Sequence, residues 1–334
     1  MSKIAVIGAG SWGTTFAKVL SDSPDNQVTL WARREEIAAE INSDHRNGDY
    51  LPGIVLPNSL KASSDISKVL SGAEQVYISV PSQALRENLS LWGSQIDPQA
   101  IVVSLMKGVE QNTGLRMSEV IAEVLEIDAE KIVVVSGPNL SLEIAAEQPT
   151  ASVASSEGKE ARLAVAQAAS NNYFTVFTNK DVIGTEFGGI LKNLIAVAIG
   201  IVNGVGYGEN TKASIMTRGL SELTRFAVAY GAKKKTMVGL AGLGDLIATS
   251  ESPLSRNHKA GEMLGKGYTL REVQKRMSQT AEGLASVAPI LQLAAAKGVR
   301  MPIVEQVQLV LEGKMNPRDI APHLTHEKDG PLGE

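Results

Sequence analysis

The stretch IAVIGAGSWGTTFAKVL, residues 4–20, runs four apolar residues straight into three glycines and then into a segment with helical periodicity. Gly8 permits a tight turn after a strand, Gly10 lets a pyrophosphate approach the backbone, and Gly13 lets the following helix pack closely on that strand. The N-terminus of the helix then faces the phosphates. The spacing predicts a strand, a turn and a helix that together open a dinucleotide-binding domain.

Outward from this stretch, near-continuous apolar runs recur at KIAVIG, QVTLWA, QVYISV, AIVVSL, KIVVVS and FTVFT. Such runs suit a parallel sheet covered on both faces. Segments such as GTTFAKVLSD and MSEVIAEVLE between them have helix periodicity. Alternation of this kind is the βαβ pattern of a doubly wound, Rossmann-type α/β fold. Beyond residue 181 the chain turns to long helical runs separated by glycine-rich turns, VNGVGYGEN and GLAGLGDL. We therefore expect a dinucleotide-binding domain over 1–181, a mostly α-helical C-terminal domain over 182–327 for substrate and catalysis, and a polar tail over 328–334.

Composition narrows the function. The chain has 334 residues, 43% hydrophobic and 20% charged, with a net charge of −4, which argues against nucleic acid as the main partner. The lysines at 233–235 read as a solvated face. No cysteine is present, so disulfides, thiolate metal sites and cysteine nucleophiles are excluded. His45, His258, His323 and His326 form no helical metal pair, and no metal site is expected. The N-terminal apolar run is too short for a secretory core. The run from Leu194 to Val202 stops at Asn203, short of the roughly 20 residues of a membrane span. A cytoplasmic setting is the expectation.

At the end of the second strand, where an acidic side chain would grip the ribose hydroxyls of NAD, the sequence offers Arg33 and Arg34. Guanidinium groups suit a 2′-phosphate and favour NADP, although RREE also reads as the exposed start of a helix. Reducing a ketone further needs a proton donor at the carbonyl oxygen. Lys192 stands in the apolar segment EFGGILKNLIAVAIG, where an ammonium needs pairing or a ligand unless its stem lies along the surface. Asn193 beside it can orient a substrate or cofactor. Lys107 follows the strand run AIVVSL, and Gly137, Asn139 and Ser141 follow KIVVVS, at the carboxyl ends where open α/β sheets collect ligands. Asp245 follows a glycine-rich turn and can pair with a lysine. Ser255, Arg256 and Asn257 precede a helix, suiting a phosphate dianion or, for Ser255 and Asn257, simple capping.

Taken together, IAVIGAGSWGTTFA, ISVPSQALRE, SLMKGVE, VSGPNLSLEIA, EFGGILKNLIAVAIGIVNG, NTKASIMTRGLSE, GLAGLGDLIATS, SRN, AEG and MPIVEQVQLVLEG closely resemble the bacterial-type NAD(P)-dependent glycerol-3-phosphate dehydrogenases, in order and over nearly the whole chain. The resemblance implies reversible reduction of dihydroxyacetone phosphate to sn-glycerol 3-phosphate with NADPH or NADH, in the supply of a phospholipid precursor. It implies Lys192 as general acid or base, with Lys107 and Asp245 polarising and orienting the substrate. Arg256 and Asn257 would lie at the substrate phosphate, and Gly137, Asn139 and Ser255 match further substrate contacts. Ser11, Trp12, Arg33, Lys107, Ser141, Arg256 and Glu282 would line the cofactor site. The segment NLS, residues 139–141, departs from the bacterial pattern and is more similar to the eukaryotic cytosolic branch.

Two rival readings stand beside this one. A β-hydroxyacid or 6-phosphogluconate dehydrogenase would also place a lysine and an asparagine on a helix, but SRN favours a phosphate ester over a carboxylate. A non-catalytic NADPH sensor would have little use for Lys107, Lys192 and Asp245 together. A homodimer is a reasonable assembly for a soluble oxidoreductase.

Overall fold

Alternation along the strands explains the first layer of structure. In the opening strand Ile4 and Val6 point to one side and Ala5 and Ile7 to the other, and all four are buried. The computed structural model describes residues 1–253, 255–277 and 281–321. The expected tail at 328–334, and the last residues expected before it, lie outside them, as do His323 and His326.

The chain separates into two compact units, Met1–Val182 and a second beginning at Ile183. The first carries β1 (Ser2–Ile7), β2 (Asn26–Trp31), β3 (Lys61–Ser63), β4 (Gln75–Ile78), β5 (Ile101–Ser104), β6 (Ile132–Ser136), β7 (Thr150–Ser155) and β8 (Phe174–Asn179) in one sheet of order β3-β2-β1-β4-β5-β6-β7-β8. Its helices are α1 (Ser11–Ser21), α2 (Glu35–Asp44), α3 (Ile66–Leu70), α4 (Leu85–Trp92), α5 (Met117–Leu125), α6 (Ser141–Ala145) and α7 (Lys159–Ala169). The order 3-2-1-4-5-6 is that of a doubly wound dinucleotide fold.

Both faces of the sheet are covered. On one side Phe16, Leu30, Tyr77, Val103, Val133 and Phe174 form a core, and on the other Val76, Ile78, Val102, Trp92 and Ile121 form a second. Phe16 packs edge-on against Trp12 and Phe174, with ring centroids 5.3 and 5.8 Å apart.

The sheet departs from the sequence expectation in two places. β3 is a three-residue edge strand, too short to show periodicity. β7, TASVAS, lies antiparallel to β6. Its pattern is hidden because buried positions carry hydroxyls: Ser152 donates to the Ser136 carbonyl at 3.0 Å and Ser155 to Asn179 Oδ1 at 2.6 Å. A hydrogen-bonded serine can occupy a core position that hydropathy alone would place outside.

Among the described residues from 183 onward no strand occurs. The second unit is built around α8 (Val182–Val205), with α9 (Glu209–Ala229), α10 (Lys234–Met237), α11 (Asp245–Glu251), α12 (Arg256–Gly265), α13 (Leu270–Arg276), α14 (Glu282–Ala296) and α15 (Pro302–Leu311). α8 is long and apolar enough to cross a bilayer, yet 83% of its apolar window is buried inside the protein. It is a core helix, wrapped by the others.

Glycines set how closely α8 is wrapped. A Cβ on Gly200 would stand 2.2 Å from the His258 carbonyl oxygen, and one on Gly204 2.2 Å from that of Glu262. From the other side, a Cβ on Gly261 would stand 2.1 Å from the Val197 carbonyl oxygen, and one on Gly265 2.2 Å from that of Ile201. Paired four-residue glycine steps thus bring the backbones of α8 and α12 together where any side chain would hold them apart.

Candidate functional sites on the two units

The glycine turn of the first unit is held by backbone contact. A Cβ on Gly13 would stand 1.9 Å from the Gly8 carbonyl oxygen, and one on Gly8, whose φ is +116°, 2.4 Å from the Ser79 carbonyl oxygen. Gly10 differs, with nothing within 4 Å of an added Cβ. It is the N-cap of α1, where no side chain caps the helix and no acid stands in the first turn. This open, uncapped and acid-free helix start fits a dinucleotide pyrophosphate, which would take the backbone N–H groups of that turn.

A loop missed by the sequence reading supports the turn. Asn47, fully buried, donates to the Ala9 carbonyl at 3.0 Å and to Thr14 Oγ1 at 2.9 Å. Ser11 donates to the Tyr50 carbonyl at 2.9 Å and Trp12 to the Leu105 carbonyl at 3.1 Å. The only local sign of this loop is the turn-forming NGD at 47–49.

Arg33 is exposed and has no side-chain partner among the described residues. Arg34 is the N-cap of α2, pairs with Asp49 at 2.5 Å and lies over the Tyr50 ring, 5.9 Å from its centroid. The Asp49 hydrogen bond keeps this guanidinium firmly charged. Glu35 and Glu36 open α2 in solvent, so RREE begins an exposed helix and also places two guanidinium groups just after β2.

At the carboxyl ends of β5 and β6, Lys107 donates to the Gly137 carbonyl at 3.3 Å. Asn139 Nδ2 donates to Ser152 Oγ at 3.2 Å, while its Oδ1 is buried without a hydrogen-bond partner. Ser141 begins α6, and its carbonyl accepts from Thr15 at 3.2 Å.

In the second unit, Lys192 is 7% exposed and Asp245 1%. Lys192 Nζ lies 2.5 Å from Asp245 Oδ1 and 2.5 Å from Thr249 Oγ1, and Thr249 donates to Asp245 Oδ1 at 3.3 Å. The head is therefore paired rather than solvated. Such a pair offsets its desolvation only when well bonded, and the threonine supplies the additional hydrogen bonds. Thr249 is absent from the sequence reading, though the D-x-x-x-T spacing on α11 puts both side chains on one helical face.

The pairing follows from packing. A Cβ on Gly188 would stand 2.3 Å from the Ala241 carbonyl oxygen, in the π-helical turn Leu240–Gly244 that leads into α11. One turn further along each helix, Lys192 and Asp245 face each other.

Ser255 is the N-cap of α12 and accepts from the His258 N–H at 3.2 Å, so its hydroxyl serves the helix. Arg256 is the first helical residue. Asn257 Oδ1 accepts from the Gly283 N–H at 2.9 Å, and a Cβ on Gly283 would also meet the Asn193 carbonyl oxygen at 2.9 Å. Asn193, Asn257 and the start of α14, where Glu282 is the first residue, are thereby brought together.

Comparison with known proteins agrees over nearly the full length. Residues 3–162 match the family model described as NAD-dependent glycerol-3-phosphate dehydrogenase N-terminus, and residues 181–322 match its C-terminus counterpart. The chain is 65% identical to the glycerol-3-phosphate dehydrogenase [NAD(P)+] of Leifsonia xyli, covering 98% of this chain and 89% of the relative. It is 50% identical to that of Thermobifida fusca, covering 96% and 95%. The crystal structure of glycerol-3-phosphate dehydrogenase from Coxiella burnetii is similar at a TM-score of 0.91 and 34% identity, covering 98% of this chain and 99% of that one.

Proposed function

Since this chain belongs to the NAD-dependent glycerol-3-phosphate dehydrogenase family, we propose specific roles for its residues in that family's reaction. The protein is an oxidoreductase that reduces dihydroxyacetone phosphate reversibly to sn-glycerol 3-phosphate, with NADPH or NADH as reductant. When bound, the reduced nicotinamide supplies the hydride that becomes the new C–H bond at C2.

The observation that carries the assignment is the buried Lys192–Asp245–Thr249 cluster. Lys192, held as an ammonium by Asp245, donates the proton to the C2 oxygen and so neutralises the negative charge that develops there. In the oxidative direction the free amine takes that proton back. Asp245 and Thr249 fix the ammonium in one direction, and Asn193 orients the substrate beside it. Lys107, held by the Gly137 carbonyl, adds a second positive charge to polarise the carbonyl.

Arg256 and the side-chain NH₂ of Asn257, at the start of α12, hold the substrate phosphate by charge-assisted hydrogen bonds and the helix N-terminus. Gly137, Asn139 and Ser255 complete the substrate-binding set. Gly8, Gly10, Ser11, Trp12, Gly13, Arg33, Arg34, Lys107, Ser141, Arg256 and Glu282 make up the cofactor-binding set. In the same reading, residues 1–181 form the dinucleotide-binding domain and 182–327 the substrate and catalytic domain. The enzyme acts in the cytoplasm, as a homodimer, to supply glycerophospholipid synthesis.

The test is the loss of reduced-cofactor absorbance when purified protein meets dihydroxyacetone phosphate, run in parallel with NADPH and NADH. Rapid loss with faster use of NADPH supports the reading. Cofactor binding without turnover would overturn it in favour of a sensor, and turnover only with a hydroxyacid or its oxo form would favour the related dehydrogenases.

A further inference from the structure

Ser152 on β7 is fully buried, and at such a core position alanine would fill nearly the same space without burying a hydroxyl. Its hydroxyl is used twice. The single proton goes to the Ser136 carbonyl at the end of β6, at 3.0 Å, so towards Asn139 Nδ2, at 3.2 Å, the same oxygen can only accept. One side chain thereby ties down both flanks of Gly137, the strand residue before it and the asparagine two positions after it.

Gly137 itself lies against this serine. A Cβ on Gly137 would stand 3.0 Å from Ser152 Cα and 3.1 Å from its Oγ, so the turn is seated directly on β7. The carbonyl of the same glycine accepts from Lys107 Nζ at 3.3 Å. A hydroxyl that fixes the peptide groups on either side of Gly137 also fixes the direction of its carbonyl, and the carbonyl in turn holds the ammonium. All of these residues belong to the first unit.

We propose that Ser152 is a positioning residue for the reaction, acting through the Gly137 carbonyl to hold the Lys107 ammonium where it polarises the substrate carbonyl. The proposal rests on the role given to Lys107 above. Its test is steady-state reduction of dihydroxyacetone phosphate by the full-length protein and its variants. Ser152→Ala should lower kcat/KM by roughly tenfold, the scale of one or two lost hydrogen bonds, and should raise KM for dihydroxyacetone phosphate severalfold. A mere loss of folded protein would lower the apparent kcat and leave KM alone.

Ser155 is the control for structure. It stands on the same strand, is equally buried and donates to Asn179 Oδ1 at 2.6 Å, at the opposite end of β7 from the residues that face Gly137. Ser155→Ala should lower the urea midpoint about as much as Ser152→Ala and keep kcat/KM within about twofold of the parent. In a double-mutant cycle, Ser152→Ala added to Lys107→Met should cost about twofold or less, because the group it positions is already gone. The proposal is overturned if Ser152→Ala keeps the parent kcat/KM, if Ser155→Ala costs as much activity, or if the full effect of Ser152→Ala persists beside Lys107→Met. Parent-like kinetics of Lys107→Met alone would remove the role of Lys107 itself, and the proposal with it.

Discussion

Lys192 and Asp245, 53 positions apart in sequence, meet at 2.5 Å in the interior of the helical unit, with Thr249 bonded to both. Removing the ammonium removes the proton donor but leaves the glycine turn untouched. Lys192→Ala should lower kcat by roughly 100- to 10,000-fold, the range general acid catalysis supplies. The affinity for NADPH, read by fluorescence titration, should stay within about twofold of the parent. Near-normal turnover would remove Lys192 from its role.

Asp245→Ala should cost both rate and stability, because it strands a buried ammonium without its counter-charge. A loss of about 3–5 kcal/mol is expected from breaking such a pair, visible as a lower midpoint in urea. Thr249→Val removes a neutral partner and should cost about 1 kcal/mol, with a smaller fall in kcat. Equal effects of the two would mean that the aspartate charge contributes nothing particular.

Arg33 and Arg34 bear on the cofactor. Arg34 is already shared with Asp49 and Tyr50, so Arg33 is the freer of the two to meet a 2′-phosphate. Arg33→Ser should raise KM for NADPH by roughly tenfold while leaving that for NADH nearly unchanged. Steady-state kinetics with both cofactors decides it, and a parallel rise for both would show that the arginine does not read the phosphate.

Gly13→Ala drives a methyl group into the Gly8 carbonyl, 1.9 Å away, and backbone cannot yield as a side chain can. The turn must open, with a loss of about 1–3 kcal/mol or more and of most cofactor affinity. Gly10→Ala, which meets nothing, should fold normally and be felt only when cofactor is added. Thermal melts with and without NADPH distinguish the two.

Glu222 on α9 is 2% exposed and accepts the backbone N–H groups of Ile303 and Val304, at 3.0 and 3.2 Å, capping the start of α15. Burial outweighs those hydrogen bonds and pushes its carboxyl from 4.5 up to about 7. The folded state thus holds this proton more tightly than the unfolded chain. Its contribution is complete below pH 4.5 and is lost as pH rises to about 7, by about 3 kcal/mol at most. Urea midpoints between pH 5 and 8 should fall over that window, and Glu222→Gln should remove the fall. A slope unchanged in the variant would assign it to another group.

How far the fold was legible depended on range. The strand runs and the glycine turn could be read because each is a pattern of neighbours: near-continuous apolar runs for strands and fixed spacing for the turn. β7 escaped because its buried positions are serines whose hydroxyls find carbonyl and amide oxygens on adjacent strands. Asn47 escaped because a loop asparagine looks the same whether it faces water or, as here, fastens the glycine turn. On the helical unit the residue types of the cluster were visible, but Thr249 was not, since one threonine among several carries no signal until its partner is known.

The sequence by itself determined the dinucleotide turn, the succession of sheet and helices, and the chemical types gathered for the reaction. These rest on contacts between residues close in the chain. Tertiary structure alone decided that the Lys192 head is paired rather than solvated. That outcome depends on the approach of α8 to the turn before α11 at Gly188 and Ala241, and to α12 at Gly200 and Gly261. The missing side chains at these glycines let helices distant in sequence pack backbone to backbone, and so bring an ammonium and a carboxylate into one buried hydrogen bond.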